Sequence, residues 1–295
     1  MSTAELQIPP PIAAASNGRR RRNKVSAAAW VLAAALPLVG LVSLLQRKQL
    51  DPNWSNHRVH FILFLGVGVA VFVLAYAAGA AANRRGDARV LLISLAFLAT
   101  GGFLGLHALG TAGVLFTHEY AGFKVANPVG LVLASVFALA SAFVDLRPSF
   151  APLAVRHRVA LRRGVLATMA VWFIWTVAEL PPLREPGSEG GSHSFIAALA
   201  AVGMVAYTVA AARYWYAYRG RIGLLEASVI ACFVLLAEAM IGVALTGERA
   251  WHASWWEWHA LIVTAYAIVS YAAHRQYQAK QPLPVACCAH RRRRA

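Results

Sequence analysis

Residues 89–112 of the 295-residue chain read RVLLISLAFLATGGFLGLHALGTA, and this stretch decides the class of fold. After Arg89 it contains no Asp, Glu, Lys or Arg, and a histidine, His107, lies near its end. An α-helix needs about 20 predominantly apolar residues to cross the roughly 30 Å hydrocarbon core of a bilayer. The stretch therefore predicts a membrane-spanning helix with one histidine about a turn from its end.

Seven further stretches have the same apolar character. The eight predicted spans cover residues 25–45, 60–82, 89–112, 128–146, 162–180, 194–218, 222–245 and 255–274. Their apolar residues are continuous, which excludes β-barrel strands, because those alternate residue by residue. The sequence predicts an all-α, polytopic integral membrane bundle of eight transmembrane helices over residues 25–275, with tails at residues 1–24 and 276–295.

The composition agrees with a membrane protein. The chain is 59% hydrophobic and 14% charged, whereas about a quarter of the residues are charged in a soluble globular chain. So high an apolar content also excludes disorder for the bulk of the chain. The lipid bilayer is therefore the first expected partner.

The basic residues predict the orientation of the helices. The chain has 28 Lys and Arg against 12 Asp and Glu, a formal net charge of +16. One side of the predicted bundle has only six of the 28 basic residues, Arg47, Lys48, Arg58, Lys124, Arg184 and Arg249, and the other side has the remaining 22. Cytoplasmic loops are rich in Lys and Arg, so we expect a cell-membrane protein with both termini cytoplasmic. This distribution explains the charge without a nucleic-acid partner.

Both tails are basic, and neither can bury a core. Residues 1–24 combine three consecutive prolines with an arginine run, and residues 276–295 end in another arginine run. We interpret them as cytoplasmic tails rather than domains. Cys287 and Cys288 are interpreted as ordinary tail residues, with modification or metal binding as the alternative.

Histidines are distributed in the opposite way to Lys and Arg. Seven of the ten histidines fall at the outer ends of predicted spans or in outer loops: His57, His60, His107, His118, His193, His252 and His259. For any one of them, helix capping or an interfacial position is a sufficient explanation. One-sided placement on at least three helices is harder to obtain from packing alone, and it favours a shared site.

We predict that this shared site binds a transition metal, because neutral imidazole is the commonest ligand of such metals. The first candidate ligands are His60, His107 and His259. A second set comprises His57, His118, His252, Glu179 and Glu238. Three histidines with an open position suit Zn(II) or Cu(II), and the lack of outer cysteines argues against a Cu(I) site.

Glu238 has several possible roles. It lies roughly 12 Å inside the seventh predicted span, by the 1.5 Å rise per helical residue. An ionisable group at that depth is costly and is a candidate for function. Glu238 could bind the metal or accept a hydrogen bond from a ligand histidine. The alternative is a hydrogen bond between helices that holds the bundle together.

Two cofactors are disfavoured. A retinal protein needs a lysine inside its last span, and the four lysines, Lys24, Lys48, Lys124 and Lys280, all lie outside the predicted spans. Haem held by two histidines is disfavoured, because only His107 lies deep enough in a predicted span. The chain also has no nucleotide-binding glycine motif of the common kinds.

Four strings support a family resemblance: NHRVHF at residues 56–61, RRGDARV at 84–90, GLHAL at 105–109 and WEWH at 256–259. They resemble the multi-span N-terminal membrane modules of bacterial adenylate and guanylate cyclases, across roughly residues 50–275. The resemblance implies a membrane sensor whose outer face receives a signal. We expect no cyclase domain, since only about 20 residues follow the last predicted span. The outer histidines are also similar to those of copper-resistance D type membrane proteins.

The leading functional prediction is a sensor or receptor-like module that binds a metal, or a small ligand through that metal, near its outer face. Its output would pass to a cytoplasmic signalling partner or to a second copy of the chain. Transport or handling of copper or another metal is the alternative. A zinc-dependent intramembrane lipid hydrolase is a further alternative, with Glu179 or Glu238 as general base. The sequence leans against an enzyme.

Overall fold

The computed structural model describes residues 32, 34–147, 149–183, 189–220, 222–247 and 249–280. The helices of these ranges are α1 (Ala34–Gln46), α2 (His57–Arg85), α3 (Ala88–Leu109), α4 (Ala121–Ala142), α5 (Phe150–Arg156), α6 (Arg158–Val177), α7 (Glu189–Tyr218), α8 (Leu224–Thr246) and α9 (Ala253–Lys280). A 3₁₀ turn, Lys48–Leu50, lies between α1 and α2. The all-α prediction is confirmed for the described residues.

Six of these helices are long and apolar enough to cross a membrane: α2, α3, α4, α6, α8 and the part Ser194–Tyr218 of α7. The prediction of a multi-pass helical membrane protein is confirmed at this level. The other two predicted spans fall on α9 and α1. Helix α9 is not among the six, and the described helix α1 is shorter than a membrane span. The start of the first predicted span, the tail 1–24 and residues 281–295 of the second tail lie outside the described residues. The number eight therefore stays a prediction.

The turn between α2 and α3 is set by two adjacent residues. Gly86 ends α2 in the left-handed region, with φ 65°, where glycine has no steric penalty. The Asp87 side chain then accepts hydrogen bonds from the backbone N–H groups of Arg89 and Val90 and caps α3. The two helices consequently run antiparallel as a tight hairpin.

Close packing of this hairpin depends on two glycines. A Cβ atom on Gly68 would lie 3.0 Å from the backbone oxygen of Gly101, and a Cβ on Gly101 would lie 3.0 Å from that of Gly68. Small residues allow such close approach in membrane helix pairs. The start of α2 and the end of α3 therefore lie at the same level, and these segments carry His60 and His107.

The helices α2, α3, α4, α7, α8 and α9 pack on one another in that order, and α9 returns to contact α2. Helix α6 packs outside this ring, against α3 and α4. Large apolar side chains point outward, among them Ile62, Val73 and Ile174, each more than 60% exposed. A hydrocarbon solvent is the environment in which such a surface is stable.

The two ends of the ring differ in their polar residues. We call the end where α2 and α9 begin and α3 ends the histidine end, and the opposite one the arginine end. At the arginine end Asp145 forms ion pairs with Arg89 of α3 (3.1 Å) and Arg213 of α7 (3.0 Å). Arg89 also donates hydrogen bonds to the Tyr218 hydroxyl and the Ser141 carbonyl.

The start of α9 is fastened to the segment that precedes α2. Asp51 is 4% exposed and accepts hydrogen bonds from the backbone N–H (2.7 Å) and the hydroxyl (3.0 Å) of Ser254. The backbone N–H of Trp54 donates to the carbonyl of Trp251 at 2.7 Å. These bonds satisfy part of the free N-terminus of α9 and fix its position. His259 follows one turn further along the helix.

Candidate metal centre

Three histidines from three helices meet at the histidine end. They are His60 of α2, His107 of α3 and His259 of α9, and one ring nitrogen of each lies within 4.8 Å of one ring nitrogen of each of the others. Their ring centroids are 5.2, 5.6 and 5.7 Å apart. These are the three residues that the sequence ranked first as metal ligands. The structure brings them together, and metal binding by them stays a prediction.

The cluster is shielded from water by aromatic side chains. His60 is 3% exposed, and His259 is completely buried. The His259 ring stacks on Trp258 with a centroid distance of 3.5 Å, and Trp255 lies 4.0 Å away on a tilted plane. Two tryptophans therefore line one side of the cluster. A group bound here would experience an apolar environment in which electrostatic interactions are strong.

Each imidazole uses its Nδ1 atom for a hydrogen bond to the protein. His107 Nδ1 lies 3.0 Å from the Phe123 carbonyl oxygen, and His259 Nδ1 lies 3.0 Å from the Trp255 carbonyl oxygen. A carbonyl oxygen only accepts, so in the neutral ring the proton is on Nδ1 in both cases. The free lone pair is then on Nε2.

His60 has the same tautomer, but the partner of its Nδ1 atom is a hydroxyl group instead of a carbonyl group. Its Nδ1 atom lies 2.9 Å from Thr111 Oγ1, and that hydroxyl donates its own hydrogen to the Ala108 carbonyl at 2.7 Å. Thr111 can therefore only accept from His60, which places the proton on Nδ1. Metal-ligating histidines characteristically hold this second ring nitrogen in a hydrogen bond, because it fixes the tautomer and the ring orientation.

The Nε2 atoms of His60, His107 and His259 are buried, and none has a hydrogen-bond partner among the described residues. One nitrogen of each ring lies within 4.8 Å of one nitrogen of each other ring, so a point about 2.8 Å or less from all three exists. A zinc–nitrogen bond is roughly 2.0–2.1 Å long, so a bound ion would require the rings to move closer together. The arrangement can hold one transition-metal ion with three nitrogen ligands.

Two histidines of the second predicted set lie next to this cluster and have other partners. His57 Nδ1 lies 2.7 Å from the Ala112 carbonyl oxygen, and its ring stacks on Trp251 at 4.6 Å. His252 Nδ1 lies 2.8 Å from the Asp51 carbonyl oxygen, just before α9 begins. Both histidines thus hold the loops around the cluster rather than joining its three nitrogens.

The other members of the second set are placed elsewhere. His118 Nε2 and Glu179 Oε1 form an exposed pair 3.3 Å apart. Glu238 is 6% exposed, and its Oε2 atom is buried without a hydrogen-bond partner among the described residues. It is not part of the three-histidine group. His193 was predicted on the same side, but its side chain lies outside the described part of the chain.

Sequence reasoning missed three residues that matter for this end. Thr111 selects the tautomer of His60, and Asp51 fastens α9. Glu257 is a partly buried acid, whose Oε2 atom is buried and has no hydrogen-bond partner among the described residues. One signal was available: Asp51 and Glu257 are two of only 12 acidic residues, and both lie on the side that is poor in Lys and Arg.

A cavity of about 130 Å³ adjoins the cluster. It is lined by His60, His107, Thr111, Phe123, Trp255 and Trp258, among others. Residues of α2, α3, α4, α7, α8 and α9 all contribute to its walls. The cavity gives the two histidines an unfilled side, as a catalytic or ligand-binding metal requires.

Comparisons with known proteins do not identify a function for this chain. The resemblances to cyclase-linked membrane modules and to copper-resistance D type proteins are not tested by them. No family model, no curated protein and no solved structure matches the chain.

Proposed function

We propose that this chain is an integral membrane protein that binds one transition-metal ion, Zn(II) or Cu(II), through the Nε2 atoms of His60, His107 and His259. The observation that supports the proposal is the shared tautomer. All three rings use Nδ1 for a protein contact, and all three leave Nε2 buried and unpaired among the described residues. Three imidazoles held in this way have one free cation-binding atom each.

The energetic cost of the cluster without a ligand favours a bound cation. A buried polar atom without a hydrogen bond costs about 1–3 kcal/mol. Three such acceptors in one place also repel one another, since each presents a lone pair. An ordinary core histidine would have a donor facing its Nε2 atom. A metal ion removes all three penalties together.

The donor set supports the choice of metal. Three neutral nitrogen ligands and one open side are typical of Zn(II) or Cu(II) sites. The buried cysteine among the described residues, Cys232 of α8, lies outside the three-histidine group. The cluster therefore has none of the soft sulfur ligands that favour Cu(I).

For the topology, we propose eight spans with both termini in the cytoplasm and the histidine end outside. Support comes from the arginine end, where Arg89 and Arg213 lie on the side that holds 22 of the 28 basic residues. The excess of Lys and Arg in cytoplasmic loops gives the direction. Helices α1 and α9 complete the eight spans. Reporter fusions at the two termini, assayed for activity inside and outside the cell, test this arrangement.

The role we propose is that of a metal-dependent sensor or receptor-like module in the cell membrane. The ligands come from the α2–α3 hairpin and from α9, which packs mainly on α8. Metal or ligand binding would therefore change the contact between two parts of the ring. Because α2, α3 and α9 all continue to the arginine end, a shift could reach a cytoplasmic partner or a second copy of the chain. The resemblance to cyclase-linked modules agrees with this role.

Metal transport is the second candidate, and the buried acids favour it. Glu238 of α8 and Glu257 of α9 each have an Oε2 atom that is buried and unpaired among the described residues. Buried carboxyl groups within membrane helices often mark ion paths. Metal uptake into proteoliposomes, lost on Glu238→Gln but not on Glu119→Gln, would favour transport over sensing.

Metal analysis of the purified full-length protein tests the main proposal. We expect about one Zn(II) or Cu(II) per chain in the parent and at least a hundredfold weaker binding in His107→Ala and His259→Ala. His118→Ala is the matched control, because that histidine is exposed and pairs with Glu179. No metal in the parent, or equal metal in all variants, would contradict the proposal.

A further inference from the structure

We infer that the metal has a fourth ligand, a small anion that enters from the adjoining cavity and accepts a hydrogen bond from the indole N–H of Trp258. This inference rests on the proposed three-histidine metal site and specifies what that site would sense. Three observations support it: the charge of the site, the adjoining cavity and an unpaired donor on a residue that lines this cavity.

Charge is the first observation. A divalent ion bound to three neutral imidazoles has a net charge of two plus. Among the described residues, no carboxylate joins the three histidines. A buried charge without compensation is costly in apolar surroundings. A small anion at the open position reduces this charge, whereas a neutral ligand does not.

The cavity provides room for that anion. Its volume is about 130 Å³. Lys124 and Glu119 line it and are exposed, so the charges of these two residues offset each other. A hydroxide, an azide or a carboxylate of one or two carbons fits this space.

Trp258 supplies the polar contact. This tryptophan is 5% exposed and lines the cavity, and its Nε1 atom has no hydrogen-bond partner among the described residues. The indole N–H only donates, so it cannot bind a metal itself. It therefore requires an acceptor atom, which a metal-bound anion provides.

The Trp258 ring is also held rigidly. It stacks on His259 at 3.5 Å, and its Cβ atom would lie 2.5 Å from a Cβ placed on Gly242. The ring thus fills the space that Gly242 leaves, with one face on a predicted metal ligand. The indole ring therefore lies beside one of the three predicted metal ligands.

Azide titration of the Cu(II)-loaded full-length protein tests the inference. We expect a new azide-to-copper charge-transfer absorption that saturates at one azide per copper. Trp258→Phe should weaken azide binding about tenfold to a hundredfold, the range for a hydrogen bond to a charged group, with the same copper content. Trp175→Phe is the matched control, because its Nε1 donates to the Leu180 and Pro181 carbonyls away from the cavity.

The possible results separate the two proposals. If the parent binds neither copper nor zinc, both are wrong. If it binds copper but azide changes no absorption, the metal site stands and the anion inference is overturned. If azide binds equally to the parent and to Trp258→Phe, the donor role of Trp258 is overturned.

Discussion

The two ends of the bundle differ in whether their polar groups have partners. At the arginine end Asp145 is paired with two arginines, although its side chain is 47% exposed. At the histidine end His259 is completely buried, yet its Nε2 atom is unpaired among the described residues. Water could satisfy the exposed groups, but the buried ones have no such alternative. The half-exposed carboxylate, which water could satisfy, is therefore paired, and the buried His259 nitrogen is not.

This difference separates structural from functional polarity. A closed network of ion pairs joins α3, α7 and the segment after α4, and it leaves no ligand position. An open cluster, in contrast, has buried atoms that another molecule could bind. Three substitutions test this distinction by perturbing the contact between α2 and α3, the support of a ligand histidine and the arginine network.

The largest effect is expected for Gly68→Val. A Cβ atom at this position would lie 3.0 Å from the Gly101 backbone oxygen, so α2 and α3 must separate. We expect a loss of about 2 kcal/mol in the free energy of unfolding, the middle of the range for overpacking. Metal affinity should fall as well, because His60 and His107 move apart. Thermal unfolding and metal titration measure the two effects.

Gly66→Val is the matched control for this prediction. A Cβ atom on Gly66 would have no atom within 4 Å. Both variants add the same side chain to the same helix, two residues apart. Equal destabilisation by the two would show that the close approach of α2 and α3 does not determine stability or the metal site.

A smaller effect is expected for Thr111→Val, which has nearly the same shape but no hydroxyl group. His60 Nδ1 loses its acceptor, so the tautomer with a free Nε2 is no longer selected. Outer partners of metal ligands contribute about tenfold to a hundredfold to affinity, and we expect the lower value. Competition with a coloured chelator measures it. Unchanged affinity would mean that Thr111 does not orient the ring.

The smallest effect is expected for Asp145→Asn at the arginine end. Both of its ion pairs involve a half-exposed carboxylate, and such pairs contribute at most about 1 kcal/mol each. Stability should fall slightly, and metal affinity should change far less than in Thr111→Val. A decrease in metal affinity as large as that in Thr111→Val would contradict the separation of the two ends.

The sequence predicted the helices well, because apolar length is a local property. It also predicted the level of His60, His107 and His259 in the bundle, since each of them lies near an end of a helix. The direction in which each side chain points around the helix axis was harder to predict. His57 and His60 point only about 60° apart on an ideal helix, yet the first contacts Ala112 and the second joins the cluster.

Tertiary contacts account for what the sequence could not predict. The carbonyl that fixes His107 belongs to Phe123 of the next helix. Asp51 and Ser254 are 203 residues apart in the chain, and no pattern within either segment connects them. The depth of Glu238 in a predicted span indicated that it is buried. Nothing in the sequence indicated that it lies outside the three-histidine group.

The fastening of α9 by Asp51 also bears on the order in which the molecule is made. His60 and His107 leave the ribosome together on one hairpin, whereas His259 follows about 150 residues later. The contact between Asp51 and Ser254 can form only after that last helix has inserted beside the first ones. Contacts so distant in sequence form slowly. The three-histidine centre is therefore assembled at the end of biogenesis, and tight metal retention would mark chains whose insertion is complete.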